Sequence, residues 1–162
     1  MVFEGVFVLD RRGFSVLELL VVIAIVGVLA AMSGPWLIAY WHSAKLKAAA
    51  EELAAGLNRA RQLAISLNQR VCVQIVGNRY VYWLNNCEET AWAGLGSDST
   101  GAFRLANDVA VTANANPVFD YLGAANPGAT LTVTHPKVAV TLAVVVSVAG
   151  RVRVCPAGGC AP

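Results

Sequence analysis

One long apolar segment near the N-terminus constrains this chain more than any other feature. From Leu19 to Met32 no residue carries a polar side chain, and Arg11-Arg12-Gly13 stands shortly before it. With its apolar flanks the segment is long enough to cross most of a bilayer as a helix. Glu18 is the anomaly, because a charge at the bilayer centre costs on the order of 2.5–3.5 kcal/mol. We therefore expect Glu18 to have a positively charged partner.

The charges beside this segment predict its orientation. Arg11 and Arg12 abut it, and the positive-inside rule then places the N-terminus in the cytoplasm and the following domain outside the membrane. A cleaved secretory signal peptide is the alternative, with small residues after Leu29 as a weak cleavage site. That alternative explains neither Glu18 nor the helical pattern that continues beyond the segment.

The continuation is an amphipathic helix. Apolar residues recur every three or four positions up to Leu67, which predicts one buried helix face. Arg59 and Arg61 fall on the predicted polar faces, where Lys47 and Glu51 stand one turn apart and form a weak ion pair. The predicted buried face consists of Leu46, Ala50, Leu53, Leu57, Ala60, Ala64 and Leu67.

After Gln69 the apolar pattern changes to a period of two, which predicts β-strands. Gly77-Asn78, between Arg70–Val76 and Arg79–Leu84, is a two-residue hairpin signal that pairs residue 76 with 79. Residues 85–101 have a loop composition, and we expect Trp92 to hold this loop in place. Further short strands are predicted at residues 102–106, 109–112, 117–122 and 130–135.

The last predicted hairpin contains two arginines. Val138–Val148 is the strongest strand pattern, and it turns back through Ala149-Gly150 into Arg151–Cys155. A two-residue loop would put Arg151 and Arg153 on the valine-rich face, which is unfavourable. A three-residue loop pairs residue 147 with 151 and 145 with 153, and it places both arginines outside. We predict this arrangement, with Gly150 in the left-handed conformation.

Composition limits the function of the domain. Residues 43–162 number 120, enough for one modest domain, and their ten basic and seven acidic side chains give a net charge of +3. That charge is too small to imply nucleic-acid binding by itself. The sequence shows no nucleophile–base–acid set and no Cys-x-x-Cys motif, and Glu88-Glu89 is interpreted as part of a solvated loop. We therefore predict no catalytic, cofactor or metal site. The sequence therefore favours a structural role.

The four cysteines suggest two disulfides in an exported domain, with three possible connectivities. We favour Cys72–Cys87 together with Cys155–Cys160, because each pair closes a short local loop.

The junction Arg11–Glu18 resembles the cleavage and methylation motif of type IV prepilins and type II secretion pseudopilins. The resemblance implies that prepilin peptidase cuts between Gly13 and Phe14 and methylates the new amine of Phe14. It also implies that Glu18 meets the Phe14 amine of a neighbouring subunit during filament assembly. That amine is the positive partner that a carboxylate in lipid requires.

The same resemblance implies a pilin-like α+β fold, with a long N-terminal helix packed on antiparallel β-sheets. A prepilin leader is expected at residues 1–13, a transmembrane anchor and assembly helix at 14–38, the amphipathic half of the helix at 39–69 and a periplasmic β domain at 70–162. The expected location is the inner membrane, as a single-pass protein that enters a pilus or pseudopilus. The expected partners are other major and minor pilins or pseudopilins, prepilin peptidase and inner-membrane lipid.

Three later features resemble the GspH/FimT family of minor pilins and pseudopilins: the Ala- and Arg-rich helix, Arg70–Val73 and the terminal hairpin. A subgroup resembling FimT carries Gly-Arg-x-Arg near the C-terminus and takes part in capturing double-stranded DNA for natural transformation. Gly150–Arg153 matches that motif, so the resemblance implies DNA binding by Arg151 and Arg153. Two alternatives stay open: a polar edge that only prevents strand pairing, and a GspH-type minor pseudopilin of a type II protein secretion system. Residues 86–100 depart from common family patterns.

Overall fold

The first element is a helix of 52 residues. The computed structural model describes residues 15–160, apart from the side chains of residues 32–35, and α1 extends over Val16–Leu67. Ser15 caps α1, since its hydroxyl oxygen accepts a hydrogen bond from the N–H of Leu17 at 3.3 Å. The large apolar side chains described between Val16 and Leu29 are all exposed to about half or more of their area. This part of α1 therefore has a surface that water solvates poorly.

The chain divides into two units, Met1–Ile38 and Ala39–Pro162. Judged by length and composition, no helix of the described residues qualifies by itself as a membrane span. Val16–Ala31 and Trp36–Leu67 meet those criteria only when the two segments are taken together.

Nine strands follow α1 in the described part of the chain, and they form two sheets in which every pairing is antiparallel. Sheet A has the order β3-β2-β1-β6, and β4 also pairs with β2; sheet B has the order β5-β7-β8-β9. The strands are β1 (Val71–Val76), β2 (Arg79–Leu84), β3 (Thr90–Ala91), β4 (Ala102–Arg104), β5 (Ala110–Ala113), β6 (Val118–Phe119), β7 (Ala129–Thr134), β8 (Leu142–Val146) and β9 (Val152–Pro156).

The first hairpin has the predicted register. Val76 pairs with Arg79, and Cys72 lies opposite Trp83. Val73 and Tyr82, on the other face, are fully buried. The hydroxyl of Tyr82 donates a hydrogen bond to the carbonyl of Gly56 at 2.8 Å, which joins this face to α1.

The second half of α1 packs on both sheets through one core. Leu53 and Leu57 of α1 share this core with Phe119 of sheet A and Val144 of sheet B. Burying each such side chain is worth about 1.5–3 kcal/mol. The predicted helix face is confirmed except at Leu67, the last residue of α1, which is 41% exposed.

The prediction of one long strand over Val138–Val148 is wrong, because the structure forms only β8 within it. β7 ends at Thr134, and Leu142 already pairs with Pro156, the last residue of β9. Residues 138–141 therefore have no strand beside them to complete a ladder. Their alternating pattern predicts strand geometry, but a strand forms only where a partner backbone is present.

Candidate functional site

The predicted arginine pair lies at the edge of sheet B. β9 is the terminal strand of that sheet, and Arg153 pairs with Val145 of β8. The N–H of Ser147 donates to the carbonyl of Arg151 at 2.9 Å, so the predicted three-residue loop is confirmed. Both arginines are exposed. Because they are two residues apart in an extended segment, their side chains leave the same face.

The turn before Arg151 is held by backbone geometry. Gly150 has a φ of 74°, a conformation that side chains disfavour. Its N–H donates to the carbonyl of Ser147 at 2.8 Å, and the N–H of Arg151 donates to the Ser147 hydroxyl at 3.2 Å. These hydrogen bonds fix the position of the Arg151 backbone, although its side chain remains exposed to solvent.

An open groove of about 610 Å³ borders this edge. Val145 and Ser147, the residues opposite Arg153 and Arg151, form part of its lining. On the far side, the amide oxygen of Asn114 accepts a hydrogen bond from the N–H of Thr130 at 2.8 Å. The groove is therefore lined by β7, β8 and the turn before Arg151, with backbone and small polar groups among its lining.

Sequence reasoning missed a third arginine at this place. The sequence pattern places Arg61 on a polar face of α1, but the structure leaves it only partly exposed, with Nε buried against the turns that end in Gly123 and Gly150. No sequence signal identified it, because both turns come about 60 or more residues later in the chain.

The predicted assembly residues lie at the other end of α1. Glu18 is in the first turn of the helix and is exposed. Gly13 and Phe14 lie outside the described residues. The pairing of Glu18 with the amine of Phe14 therefore stays a prediction.

The four cysteines form two bridges. The structure joins Cys72 to Cys87 and Cys155 to Cys160, with Cα–Cα distances of 5.3 and 6.0 Å. These are the pairs that the spacing favoured. Cys72 is completely buried, so the first bridge is anchored in the core.

The two histidines, distant in sequence, meet in space. The ring centroids of His42 and His135 are 5.1 Å apart, and His135 Nδ1 accepts a hydrogen bond from the N–H of Lys137 at 3.1 Å. Loss of solvent, followed by the nearby positive charges of Lys137, His135 and Lys45, lowers the pKa of His42. Within residues 15–160, no three His, Cys, Asp or Glu side chains cluster as metal ligands do.

The loop at residues 85–101 is organised around an aromatic cluster. The guanidinium carbon of Arg59 lies 5.4 Å from the ring centroids of both Trp92 and Phe103. Farther along, Asp98 accepts hydrogen bonds from Thr100 and Ala102, and these lower the pKa of its carboxyl. The expectation that Trp92 holds this loop is confirmed by its packing against the core.

Comparison with known proteins assigns this architecture to a class. A family model described as the prokaryotic N-terminal methylation motif matches residues 9–34. Together with a long helix packed on antiparallel sheets, that motif defines a pilin-like protein. A second model, described as Type II transport protein GspH, matches residues 49–150. The chain therefore belongs to the GspH family, whose members are structural pilin or pseudopilin subunits.

Solved structures share the fold. The type IV minor pilin FimU of Pseudomonas aeruginosa (strain PAO1) is 20% identical with a TM-score of 0.53, over 72% of this chain and 92% of that one. The minor pseudopilin EpsH from the Type 2 Secretion System of Vibrio cholerae is 15% identical with a TM-score of 0.53, over 70% of this chain and 98% of that one. No curated protein sequence matches the chain significantly.

Proposed function

We propose that this chain is a membrane-anchored, non-catalytic minor subunit of a type IV pilus-like filament, and that Arg151 and Arg153 bind double-stranded DNA for uptake in natural transformation. Family membership supports the filament role. The observation that supports DNA binding is the exposed arginine pair on one face of an edge segment, beside an open groove.

The geometry suits a phosphate backbone. Residues two apart in a strand have Cα atoms about 6.8 Å apart, so Arg151 and Arg153 reach separate points along one polyanion. A guanidinium is always charged and binds phosphate oxygens through two donors at once. Contacts of this kind read no base sequence and weaken as salt rises.

Replacing Arg151 and Arg153 should weaken DNA binding. In a gel-shift titration with a 30-base-pair duplex, the full-length chain in detergent micelles should bind DNA, and Arg151→Gln/Arg153→Gln should bind at least tenfold more weakly. Each lost phosphate contact lowers the slope of log K against log salt by about 0.9, so the double variant should lose about 1.8.

The chain offers a matched control. Arg79 and Arg104 are exposed and pair across β2 and β4 of sheet A, and removing the exposed ion pair between Arg79 and Asp98 costs little. Arg79→Gln/Arg104→Gln removes the same charge elsewhere and should leave binding within about twofold of the unsubstituted chain. Equal binding by both double variants would mean that Arg151 and Arg153 do not bind DNA and that the edge of sheet B is only a solvated surface.

We propose that residues 1–13 are a leader removed before assembly, and that residues 14–38 anchor the subunit in the inner membrane with the β domain in the periplasm. The match to the methylation motif supports the cleavage site. The exposed apolar side chains of Val16–Leu29 support burial in lipid or among neighbouring helices. Glu18 then pairs with the Phe14 amine of an adjacent subunit, because a carboxylate in that setting needs a cation.

N-terminal mass spectrometry tests this processing. When the chain is produced in a bacterium that contains prepilin peptidase and is extracted from membranes, it should begin at N-methylated Phe14. Gly13→Val should retain residues 1–13, because a β-branched side chain replaces the glycine at the cleaved bond. An intact N-terminus in the unsubstituted protein, or one near residue 33, would contradict both the cleavage and the assembly role of Glu18.

A second candidate is a minor pseudopilin of a type II protein secretion system. The description of the matching family model and the coverage of 98% of EpsH favour it. Deleting the gene should abolish protein secretion on this alternative and DNA uptake on the first proposal, so scoring both phenotypes in the natural host separates the two.

A further inference from the structure

Arg61 lies where two tight turns meet α1. A methyl group placed on Gly123 would lie 2.8 Å from Nε of Arg61 and 3.4 Å from Nη2. A methyl group placed on Gly150 would lie 3.2 Å from the same Nε. The backbones of both turns therefore lie close to this guanidinium.

The two turns are also joined to each other. The N–H of Ala125 donates to the carbonyl of Val148 at 2.9 Å, and the backbone of Gly150 contacts the carbonyl group of Gly123. Since Gly150 directly precedes Arg151, the guanidinium of Arg61 lies against the turn that leads into the predicted DNA-binding pair, on the α1 side of sheet B.

The charge of Arg61 has no partner within residues 15–160. Its Nε is buried without a hydrogen bond, and the ion pairs of the described residues are Lys47–Glu51 and Arg79–Asp98. A guanidinium stays charged at every physiological pH, and burying part of it unpaired is unfavourable.

We propose that Arg61 is a third phosphate-binding residue, which extends the DNA surface of Arg151 and Arg153 from the edge of sheet B onto α1. This inference rests on the proposed DNA-binding function. The turns confine the guanidinium before DNA arrives, so less side-chain freedom is lost on binding than for a fully exposed arginine. Gly123 and Gly150 serve the site by allowing this confinement.

Chemical protection of the unsubstituted chain tests the proposal without a folding risk. The full-length protein in detergent is treated with p-hydroxyphenylglyoxal, with and without a 30-base-pair duplex, and modified arginines are mapped by mass spectrometry. DNA should slow modification of Arg61 and Arg151 several-fold and leave Arg104 unchanged. Protection of Arg151 and Arg153 without protection of Arg61 would overturn the inference and leave the proposed function intact.

Binding by variants gives the second test. Arg61→Gln should weaken duplex binding about three- to tenfold and reduce the salt slope by about 0.9, whereas Arg61→Lys, which keeps the charge, should bind within about twofold of the unsubstituted chain. Arg104→Gln is the control. If Arg61→Gln binds like Arg104→Gln while Arg151→Gln/Arg153→Gln binds weakly, Arg61 is a packing residue only. If no variant changes binding, the proposed DNA function fails first.

Discussion

Gly150→Ala should destabilise the domain more than any other single glycine substitution of comparable backbone conformation. The added methyl group would overlap the carbonyl oxygen of Gly123 and lie 3.0 Å from its carbonyl carbon. The left-handed backbone at Gly150 adds a cost of about 1–2 kcal/mol for any residue with a Cβ. Because the obstacle is backbone and has no rotamer to change, we expect a total loss of roughly 3 kcal/mol or more. The melting temperature, followed by near-ultraviolet circular dichroism, should fall by about 10 °C.

Gly77→Ala is the matched control for that experiment. Gly77 has a φ of 63°, close to the 74° of Gly150, but a methyl group there would meet no atom within 4 Å. Gly77→Ala should therefore lower the free energy of unfolding by only about 1 kcal/mol, which is the conformational cost alone. A loss at Gly150 no larger than the loss at Gly77 would mean that the turns ending in Gly123 and Gly150 do not touch in solution.

Removing the Cys72–Cys87 bridge should have the second large effect. The bridge closes a loop of 15 residues, for which the entropy of the unfolded chain predicts about 3 kcal/mol of stabilisation. Cys72 is fully buried between β2 and β6, so Cys72→Ala/Cys87→Ala also loses contacts in the core. The free energy of unfolding, measured by urea titration of the oxidised protein, should fall by about 3–4 kcal/mol.

The second bridge provides the comparison. Cys155–Cys160 closes only five residues, and both of its cysteines are partly exposed, so Cys155→Ala/Cys160→Ala should cost about 2 kcal/mol or less. A larger loss at Cys155–Cys160 than at Cys72–Cys87 would contradict the assignment of the first bridge to the core.

Local signals allowed much of the fold to be predicted. Gly77-Asn78 set the register of β1 and β2, and the unfavourable burial of Arg151 and Arg153 excluded a two-residue loop. Both arguments use neighbouring residues and elementary sterics. The helix face from Leu46 to Ala64 followed from its spacing in the same way.

The failures share one physical cause, which is contact between residues distant in sequence. Val138–Thr141 alternates like a strand but has no partner strand, and periodicity does not report partners. Val145 faces outward with Arg153 yet is only 6% exposed, because its cross-strand neighbours Thr130 and Arg153 flank it on that face. Arg61 lies against turns far along the chain, so the burial of its Nε became visible only in the folded structure.

Each disulfide is confined to its own sheet, and this has a mechanical consequence. Cys72–Cys87 lies within sheet A and its following turn, and Cys155–Cys160 lies at the end of β9. Neither bridge links α1 to a strand. A pulling force applied along α1, as in a filament under tension, would meet only non-covalent resistance at contacts such as Leu53, Leu57 and the Tyr82–Gly56 hydrogen bond. Oxidation would then protect each sheet from unravelling, while the contacts that hold α1 on the sheets remain non-covalent in reducing and oxidising conditions alike.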